Sequence, residues 1–147
     1  MKLTTFTDYS LRVLIYVAAA PARRVTINEI AQAFDISENH LVKVVHLLGR
    51  EGILLNTRGR GGGLALARPA SEIKVGAVVR LAEGGDYLAE CFREDSRCSI
   101  APVCRLAGVL EEALQAFYAV LDRHTLADLV HNRARIASIL RFEPRFA

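Results

Sequence analysis

Three cysteines lie close together in the second half of the chain. Cys91, Cys98 and Cys104 are its only cysteines, and they fall within a window of 14 of the 147 residues. Random placement would bring three residues this close in roughly 2% of sequences, so the clustering is informative. Three thiols in one short segment can bind a metal ion, hold an inorganic cluster or undergo thiol redox chemistry.

The spacing of these residues, Cys-x6-Cys-x5-Cys, favours an iron–sulfur cluster over structural zinc. Structural zinc sites usually have four ligands and contain closely spaced cysteine pairs, and neither feature is present. An iron–sulfur cluster is larger and is held by thiolates, which suits the wider spacing. Three thiolates leave one iron of a four-iron cluster with an oxygen or nitrogen ligand, where a small molecule can attack. Three unligated cysteines with a redox-active pair are the alternative, because Arg93, Arg97 and Arg105 favour the thiolate form.

The basic residues are concentrated in the first half of the chain. Residues 1–68 carry nine Lys and Arg against five Asp and Glu, a net charge of +4, whereas residues 69–147 carry ten against eleven, a net charge of −1. Sixteen of the 19 basic residues are arginines, which suit contacts to phosphates and base edges. The hydrophobic fraction of 52% excludes a mainly disordered chain. The first half is therefore the candidate nucleic-acid-binding part.

The beginning of the chain predicts an apolar helix that opens at Thr7 or Asp8, continues to about Ala20 and ends before Pro21. The uncharged run over residues 13–22 is too short for a membrane span. It has some features of a signal-peptide core, but Asp8 lies in the region that should be positive. We therefore expect a buried first helix in a cytoplasmic protein that has no membrane partner.

Two short helices joined by a tight connection are predicted next. Thr26 and Glu29 form a capping box at the start of a helix over residues 27–34. Asp35 suits the left-handed conformation of a tight turn, and Ser37 caps a further helix over residues 38–50. A short helix, a turn and a second helix make a helix-turn-helix, in which the second helix enters the DNA major groove.

A basic, glycine-rich hairpin follows directly. Two short apolar strands, residues 53–57 and 64–67, flank the tip Arg58-Gly59-Arg60-Gly61-Gly62-Gly63, which predicts a wing. Such a tip can enter a minor groove or lie along phosphates. It does not match a nucleotide-binding loop, because no Lys-Ser/Thr follows and the segment leads into a strand. The predicted fold class is mainly α with a small β-hairpin wing, as a winged helix-turn-helix domain.

The candidate DNA-contacting residues lie on the two short helices and in the wing. In chain order they are Asn28, Ser37, Glu38, Asn39, His40, Lys43, Arg50, Arg58, Arg60, Gly61 and Gly62. Asn39 suits adenine, and Lys43 suits guanine or a phosphate. A core helix with a solvated polar face and a flexible hairpin are the alternatives. The order of the elements within a basic half favours DNA binding. Two winged helices one DNA turn apart in a dimer would read a double-stranded, pseudo-palindromic operator.

A fourth helix over residues 75–82 and then a long helix are predicted in the second half. Pro102 suits the first turn of the long helix, which reaches about Asp122. Its apolar stripe consists of Leu106, Val109/Leu110, Ala113/Leu114, Phe117 and Val120/Leu121. A stripe of about 30 Å either packs along the winged helix or pairs with the same helix of a second chain. Thr125 caps a last short helix over residues 126–130, and the tail after Arg141 is expected to be loose.

The predicted organisation therefore has four segments. They are a winged helix-turn-helix domain over 1–84, a cysteine-bearing cluster loop over 85–104, a dimerisation helix over 102–124, and a short C-terminal helix with a loose tail over 125–147. No nucleophile–base pair and no paired carboxylates are recognisable in the sequence, so we expect no enzymatic activity.

The chain resembles the family of winged-helix iron–sulfur transcription regulators over residues 1–130, and within that family the nitric-oxide-sensing repressors. The matching parts are residues 1–16, Ile30-Ala31, residues 37–45, the wing over 58–63 and the three late cysteines. The resemblance implies a homodimer with one cluster per subunit, bound through Cys91, Cys98 and Cys104. A [4Fe-4S] cluster is expected, and [2Fe-2S] is the alternative.

The resemblance also implies a fourth ligand. In the nitric-oxide-sensing branch it is an acidic residue near the N-terminus of the other subunit, and Asp8 is at the matching place. Another branch uses a His three residues after the last cysteine, where this chain has Ala107. A carboxylate at a helix start is also favoured by the helix dipole without any metal. In that case Arg12, one turn later, can pair with Asp8.

The implied function is a transcriptional repressor whose operator binding is controlled by a cluster that reacts with nitric oxide. One alternative is a regulator of the same family that senses iron or iron–sulfur supply. The other is a cluster-free thiol or zinc redox switch.

Overall fold

The described part of the chain is mainly helical, with one antiparallel hairpin. The structure is a computed structural model, and it describes residues 2–20, 22–85, 88–92 and 95–142. The elements are, in chain order, α1 (Thr5–Ala19), α2 (Ile27–Phe34), α3 (Glu38–Arg50), β1 (Leu54–Thr57), β2 (Gly63–Leu66), α4 (Val75–Glu83), α5 (Leu106–Asp122), α6 (Leu126–Leu129) and α7 (Arg133–Ile139). Short 3-10 turns cover Ala70–Glu72 and Glu90–Phe92. Within the described ranges, no helix is long and apolar enough to cross a membrane.

Helix α1 is the centre of the fold because it is apolar on nearly every side. Val13 and Leu14 are completely buried, and Tyr16 and Val17 are at most 7% exposed. Helices α3, α4, α6 and α7 and strand β2 all contact it. The prediction of a buried first helix is confirmed, although its predicted end at Pro21 lies outside the described residues.

The start of α1 lies earlier than predicted because a distant carboxylate stabilises it. Thr4, not Thr7 or Asp8, is the N-cap, and its hydroxyl accepts a hydrogen bond from Thr7 N at 3.2 Å. Glu83, the last residue of α4, accepts hydrogen bonds from Thr4 N at 2.8 Å and from Thr7 Oγ1 at 2.5 Å. A carboxylate at a helix N-terminus is favoured by the helix dipole. Glu83 therefore ties the end of α4 to the start of α1.

The predicted helix-turn-helix is present. Thr26 and Glu29 form a reciprocal capping box at the start of α2. Asp35 adopts the left-handed conformation, with φ 53° and ψ 51°, that the tight turn requires. Ser37 occupies the N-cap position of α3, but its side chain makes no capping hydrogen bond, so that part of the prediction is wrong. Both helices have the predicted bounds.

Strands β1 and β2 form the predicted hairpin, with Thr57 opposite Gly63. Val25, between α1 and α2, adds a further bridge to it. Leu64 N donates to Val25 O at 2.7 Å, and Val25 N donates to Leu64 O at 3.1 Å. Both residues are at most 1% exposed. This bridge attaches the hairpin to the helix-turn-helix and completes a winged helix.

Helices α4 and α5 meet in a close contact between Gly76 and Asp122. A Cβ atom on Gly76 would lie 2.0 Å from Asp122 Oδ1, so the approach requires glycine. Arg80 donates to both carboxylate oxygens of Asp122, at 2.9 and 2.6 Å, and its guanidinium lies 4.2 Å from the centre of the Tyr118 ring. The hydrogen bonds from Arg80 hold the pKa of Asp122 below its usual value. The C-terminal end of α5 is therefore fixed to α4.

Helix α5 begins at Leu106, four residues after the predicted start at Pro102. Residues 99–103 form turns instead, and Cys104 N donates to Ile100 O at 2.9 Å. The fixed φ of proline suits such a turn as well as it suits the first turn of a helix, which explains the wrong boundary.

Helix α5 has two apolar faces, between which the predicted stripe is divided. One face packs against neighbouring elements of the chain. Its residues Leu114 and Tyr118 are each only 4% exposed. The other face is exposed, with large residues 46–60% accessible and alanines between them: Leu106, Val109, Ala113, Ala116 and Val120. Packing within the chain therefore uses only half of the stripe.

Residues 133–142 pack on α1. The sequence predicts no helix at α7, and Phe142 is the one described residue of the tail after Arg141 that was expected to be loose. Arg133, the first residue of α7, donates from Nε to Ala19 O at 3.0 Å. Carbonyl groups at a helix end lack partners within the helix, and a guanidinium satisfies them. Phe142 packs edge-on against Tyr16, with 4.7 Å between ring centres. The rest of the predicted tail lies outside the described residues.

Gly76→Ala is expected to lower the free energy of unfolding by about 1–3 kcal/mol, because the added methyl group overlaps Asp122. Urea unfolding followed by circular dichroism measures this. Gly108→Ala is the matched control, since a Cβ at Gly108 meets nothing within 4 Å. Replacing this helical glycine is expected to raise stability by about 0.5–1 kcal/mol. Equal stabilities of the two variants would contradict the close contact.

Candidate functional site

The outward face of α3 carries a row of polar side chains. Its members recur at intervals of four, three and four residues and are all exposed: Asn39, Lys43, His46 and Arg50. The opposite face is at most 3% exposed: Leu41, Val44, Val45 and Leu48. This burial fixes the rotation of α3, so the polar row faces solvent. The predicted residues at the helix start are exposed beside it: Ser37, Glu38 and His40.

Hydrogen bonds orient residues at both ends of α3. Asn28 Nδ2 donates to Glu38 Oε1 at 2.7 Å, which links the start of α2 to the first residue of α3. Arg50 Nε lies 3.0 Å from Glu51 Oε1, and the Arg50 side chain is 63% exposed. Ion pairs this exposed are weak, so Arg50 can exchange its partner for a phosphate.

Helix α2 is held in place by the carboxylate of Glu29. Thr26 N donates to Oε2 at 2.6 Å, and Arg23 Nη1 donates to Oε1 at 2.8 Å. Burial alone raises the pKa of Glu29, but the hydrogen bonds from Thr26 and Arg23 outweigh this effect and hold the pKa below its usual value. The charged carboxylate therefore fixes the start of α2 to the segment before it.

The wing tip presents two guanidinium groups on a glycine turn. A Cβ on Gly62 would lie 2.2 Å from Thr57 O, and Gly61 has φ +77°, so both positions require glycine. Arg58 and Arg60 are exposed. In the part of the chain that the structure describes, neither forms a salt bridge. Both guanidinium groups are therefore available to an anion.

Three exposed residues near this surface were missed by the sequence analysis. Arg24 donates to Thr57 Oγ1 and so lies at the base of the wing. Val42, which is 51% exposed, and His46 belong to the outward face of α3. The Arg23-Arg24 doublet and the 3.6-residue helical period are the signals that could have found them.

The three cysteines are free and partly exposed. Cys91 lies in the turn Glu90–Phe92, and Cys104 precedes α5, where its Sγ accepts a hydrogen bond from Leu106 N at 3.4 Å. Backbone N–H groups donate to sulfur in this way in iron–sulfur proteins. Among the described residues, no three His, Cys, Asp or Glu side chains form a group that could hold a metal ion. The donor chemistry fits a thiolate-bound cofactor, but the cysteines are not assembled. Arg93 lies outside the described residues.

Asp8 lies in the first turn of α1 and pairs with Arg12. Arg12 Nε is 2.9 Å from Asp8 Oδ2, and the two side chains are 43% and 48% exposed. This is the contact that the spacing predicts, and pairs this exposed contribute about 0.5 kcal/mol. Because the carboxylate is nearly half exposed, a second molecule can reach it.

The winged helix and the outward face of α3 together define a transcriptional regulator of the helix-turn-helix type. Residues 3–132 match the model of the Rrf2 family, described as iron-dependent transcriptional regulator, and the chain belongs to this family. The resemblance predicted from the sequence is confirmed.

Individual relatives agree with this assignment. The HTH-type transcriptional regulator NsrR of Bacillus subtilis is 48% identical over 145 residues, which cover 97% of this chain and 99% of the relative. The structure of T. potens IscR has a TM-score of 0.72 at 26% identity, and the match covers 90% of this chain and 88% of that one. The structure of CymR, the global cysteine regulator of B. subtilis, has a TM-score of 0.71 at 27% identity. The match covers 90% of this chain and 98% of that one. The predicted fold class is therefore confirmed.

Glu29→Gln is expected to lower the free energy of unfolding by about 1–2 kcal/mol at pH 7, because the charged hydrogen bonds to Thr26 and Arg23 are lost. The folded pKa of Glu29 is depressed, so its contribution is present above the ordinary carboxyl pKa and is lost as the pH falls through the folded value. Urea unfolding at a series of pH values measures the difference from wild type.

Glu51→Gln is the control for this substitution, because Glu51 pairs only with the exposed Arg50 side chain among the described salt bridges. Its effect is expected to stay within about 0.5 kcal/mol. A Glu29→Gln deficit that persists undiminished at the lowest pH would contradict the proposed role of the charge.

Proposed function

We propose that the chain is a homodimeric transcriptional repressor that binds a pseudo-palindromic DNA operator under the control of an iron–sulfur cluster. The observation that supports this most is the exposed polar face of α3 beside the wing arginines, Arg58 and Arg60. In this proposal residues 1–84 bind DNA, residues 85–104 hold the cluster, and α5, within the predicted segment 102–124, pairs the subunits. Residues 125–147 form the C-terminal part.

DNA is contacted by α3 and by the wing in this proposal. Helix α3 enters the major groove, where side chains near its N-terminus reach base edges. The residues of this group are Ser37, Glu38, Asn39, His40 and Lys43. Asn28 of α2, which is hydrogen-bonded to Glu38, belongs to the same surface. Asn39 contacts adenine, and Lys43 contacts guanine or a phosphate. The wing and the end of α3 contact phosphates or the minor groove through Arg50, Arg58, Arg60, Gly61 and Gly62.

The exposed face of α5 supports the dimer. Its apolar residues recur at alternating intervals of three and four, which is the spacing of a coiled-coil seam. An exposed apolar strip of this length is typical of an interaction surface. Ala113 and Ala116 allow a second helix to approach closely. A second copy of α5 covers the strip, and the two winged helices then meet sites about 34 Å apart on DNA.

The cysteine segment supplies the ligands. Cys91, Cys98 and Cys104 provide three thiolates, and Asp8 of the partner subunit provides the fourth ligand of one [4Fe-4S] cluster per subunit, with [2Fe-2S] as the alternative. The three free thiols and the half-exposed carboxylate support this assignment. The cluster supplies iron atoms that react with nitric oxide. When Asp8 is not a ligand, Arg12 holds it.

Glu83 and Gly84 connect the cysteine segment to the DNA-binding domain. Glu83 is hydrogen-bonded to Thr4 and Thr7 at the start of α1, and Gly84 ends α4 with φ +72°. A rearrangement of residues 85–104 therefore acts on α1 as well as on α5. Specific operator binding exceeds non-specific binding by about 4–10 kcal/mol and uses both half-sites, so a small displacement of the subunits weakens it.

Two other functions would use the same surface. A regulator that senses iron or iron–sulfur supply is favoured by the family description, iron-dependent transcriptional regulator, and by the likeness to IscR. A thiol or zinc switch without a cluster is the other candidate, and the three free, partly exposed cysteines would supply its thiols.

Arg60→Ala is expected to weaken operator binding and to reduce the slope of log K against log salt by about 0.9, because one phosphate contact is lost. Fluorescence anisotropy between about 50 and 200 mM salt measures the slope. Arg123→Ala removes the same charge from an exposed position after α5 and should leave the slope unchanged. An unaltered slope for Arg60→Ala would remove the wing from the phosphate contacts.

Cys98→Ala is expected to abolish iron and sulfide binding in protein purified without oxygen, because one of three thiolate ligands is lost. Iron and sulfide analysis with an absorbance spectrum measures this, and circular dichroism checks the fold. Ser99→Ala, at the neighbouring exposed position, is the control and should keep the wild-type content. A normal iron content in Cys98→Ala would contradict the ligand assignment.

The same anaerobic preparation separates the three functions. Nitric oxide added to wild-type protein on operator DNA is expected to release the DNA. Retained binding at several equivalents would favour the sensing of iron supply. Colourless wild-type protein without iron or sulfide would favour the cluster-free switch.

A further inference from the structure

Val42 is an apolar residue in the middle of a polar surface. It lies on the outward face of α3 and is 51% exposed. Asn39, three residues before it, and His46, four residues after it, are exposed on the same face, and so is the adjacent Lys43. The predicted DNA-contacting residues are all polar or glycine, so Val42 adds a different chemistry to this face.

The stability of α3 does not explain why residue 42 is a valine. A branched Cβ loses rotamer freedom in a helix, so valine is a weaker helix former than alanine or lysine. Half of the side chain is in solvent, and the core contacts of α3 are made by the opposite face, which includes Leu41 and Val45. A single exposed apolar residue is ordinary on most surfaces. On a surface that faces DNA, it has a specific use.

We propose that Val42 recognises a thymine in each operator half-site by contacting its C5-methyl group. The thymine methyl is the one apolar group that the major groove presents, and apolar side chains read it. Lys43, next to Val42, and Arg50, two turns further on, are cationic. The one carboxylate nearby on α3, that of Glu38, accepts a hydrogen bond from Asn28. The two cations suit a nucleic acid and not an apolar protein partner. The inference rests on the proposed function, because it requires α3 to lie in the major groove.

The spacing along α3 also constrains where the thymine lies. Asn39 and Val42 are three residues apart, which is about 4.5 Å of helix rise. Base pairs are stacked about 3.4 Å apart along each strand. The thymine therefore lies within one or two base pairs of the base that Asn39 contacts.

The experiment compares thymine with uracil, which lacks only the methyl group. An operator is first selected by wild-type protein from a pool of random duplexes. Each thymine of the half-site is then replaced by deoxyuridine, at symmetric positions, and affinities are measured by fluorescence anisotropy. For wild type, replacement at one position is expected to weaken binding about five-fold. Val42→Ala is expected to bind the thymine operator about five-fold more weakly than wild type does. Its affinity is expected not to fall further when that thymine is replaced by uracil.

Two further variants test whether the effect depends on an apolar side chain at position 42. Val42→Ile retains a branched apolar end and is expected to retain the loss with uracil. Ile139 on α7 is 70% exposed. Ile139→Ala truncates this side chain, and the variant is expected to behave as wild type. Circular dichroism checks that each variant is folded.

The outcomes distinguish this inference from the proposed function. Full sensitivity of Val42→Ala to uracil, or no sensitive thymine in wild type, would overturn the role of Val42 while leaving operator binding intact. Failure of wild-type protein to select any sequence would overturn both. Loss of uracil sensitivity in Val42→Ala alone would support the inference.

Discussion

Burial of α1 on nearly every side is the constraint on which the rest of the molecule depends. Helix α3 packs on it, and so does α4, which in turn holds α5. These parts therefore share one support, and neither α3 nor α4 has a complete core without it. The two ends of α1 are held by distant parts of the chain, Glu83 at its start and Arg133 at its end. The consequence is that the long helix and the winged helix are connected through α1.

Features that depend on neighbouring residues could be predicted from the sequence, and features that depend on distant ones could not. The capping boxes at Thr26 and Thr125 involve residues three apart, and both predicted helices start where expected. The partner of Thr4 is 79 residues away, and that of Arg133 is 114 residues away. No local pattern contains such pairs. Helix α7 was missed for the same reason, because its contacts with α1 stabilise it more than its own short sequence does.

The same distinction between local and distant contacts applies to the candidate site. Helical periodicity was sufficient to place Asn39 and Lys43 on the outward face of α3. The expected DNA-contacting residues are polar or glycine, so Val42 is not among them. Arg24 reaches the wing only because Val25 pairs with Leu64, a contact between distant residues. The sequence identified the thiols as a set of donors, but their arrangement in space depends on the fold around them, which spacing alone does not determine.

The close contact between Gly76 and Asp122 holds α5 at its C-terminal end. Leu106, which follows Cys104 by two residues, lies 16 residues before Asp122, or about 24 Å along the helix. At that distance a sideways shift of about 2 Å at Leu106 corresponds to a tilt of the helix by only about 5°. A displacement at the start of α5 therefore arrives at its junction with α4 as a small rotation.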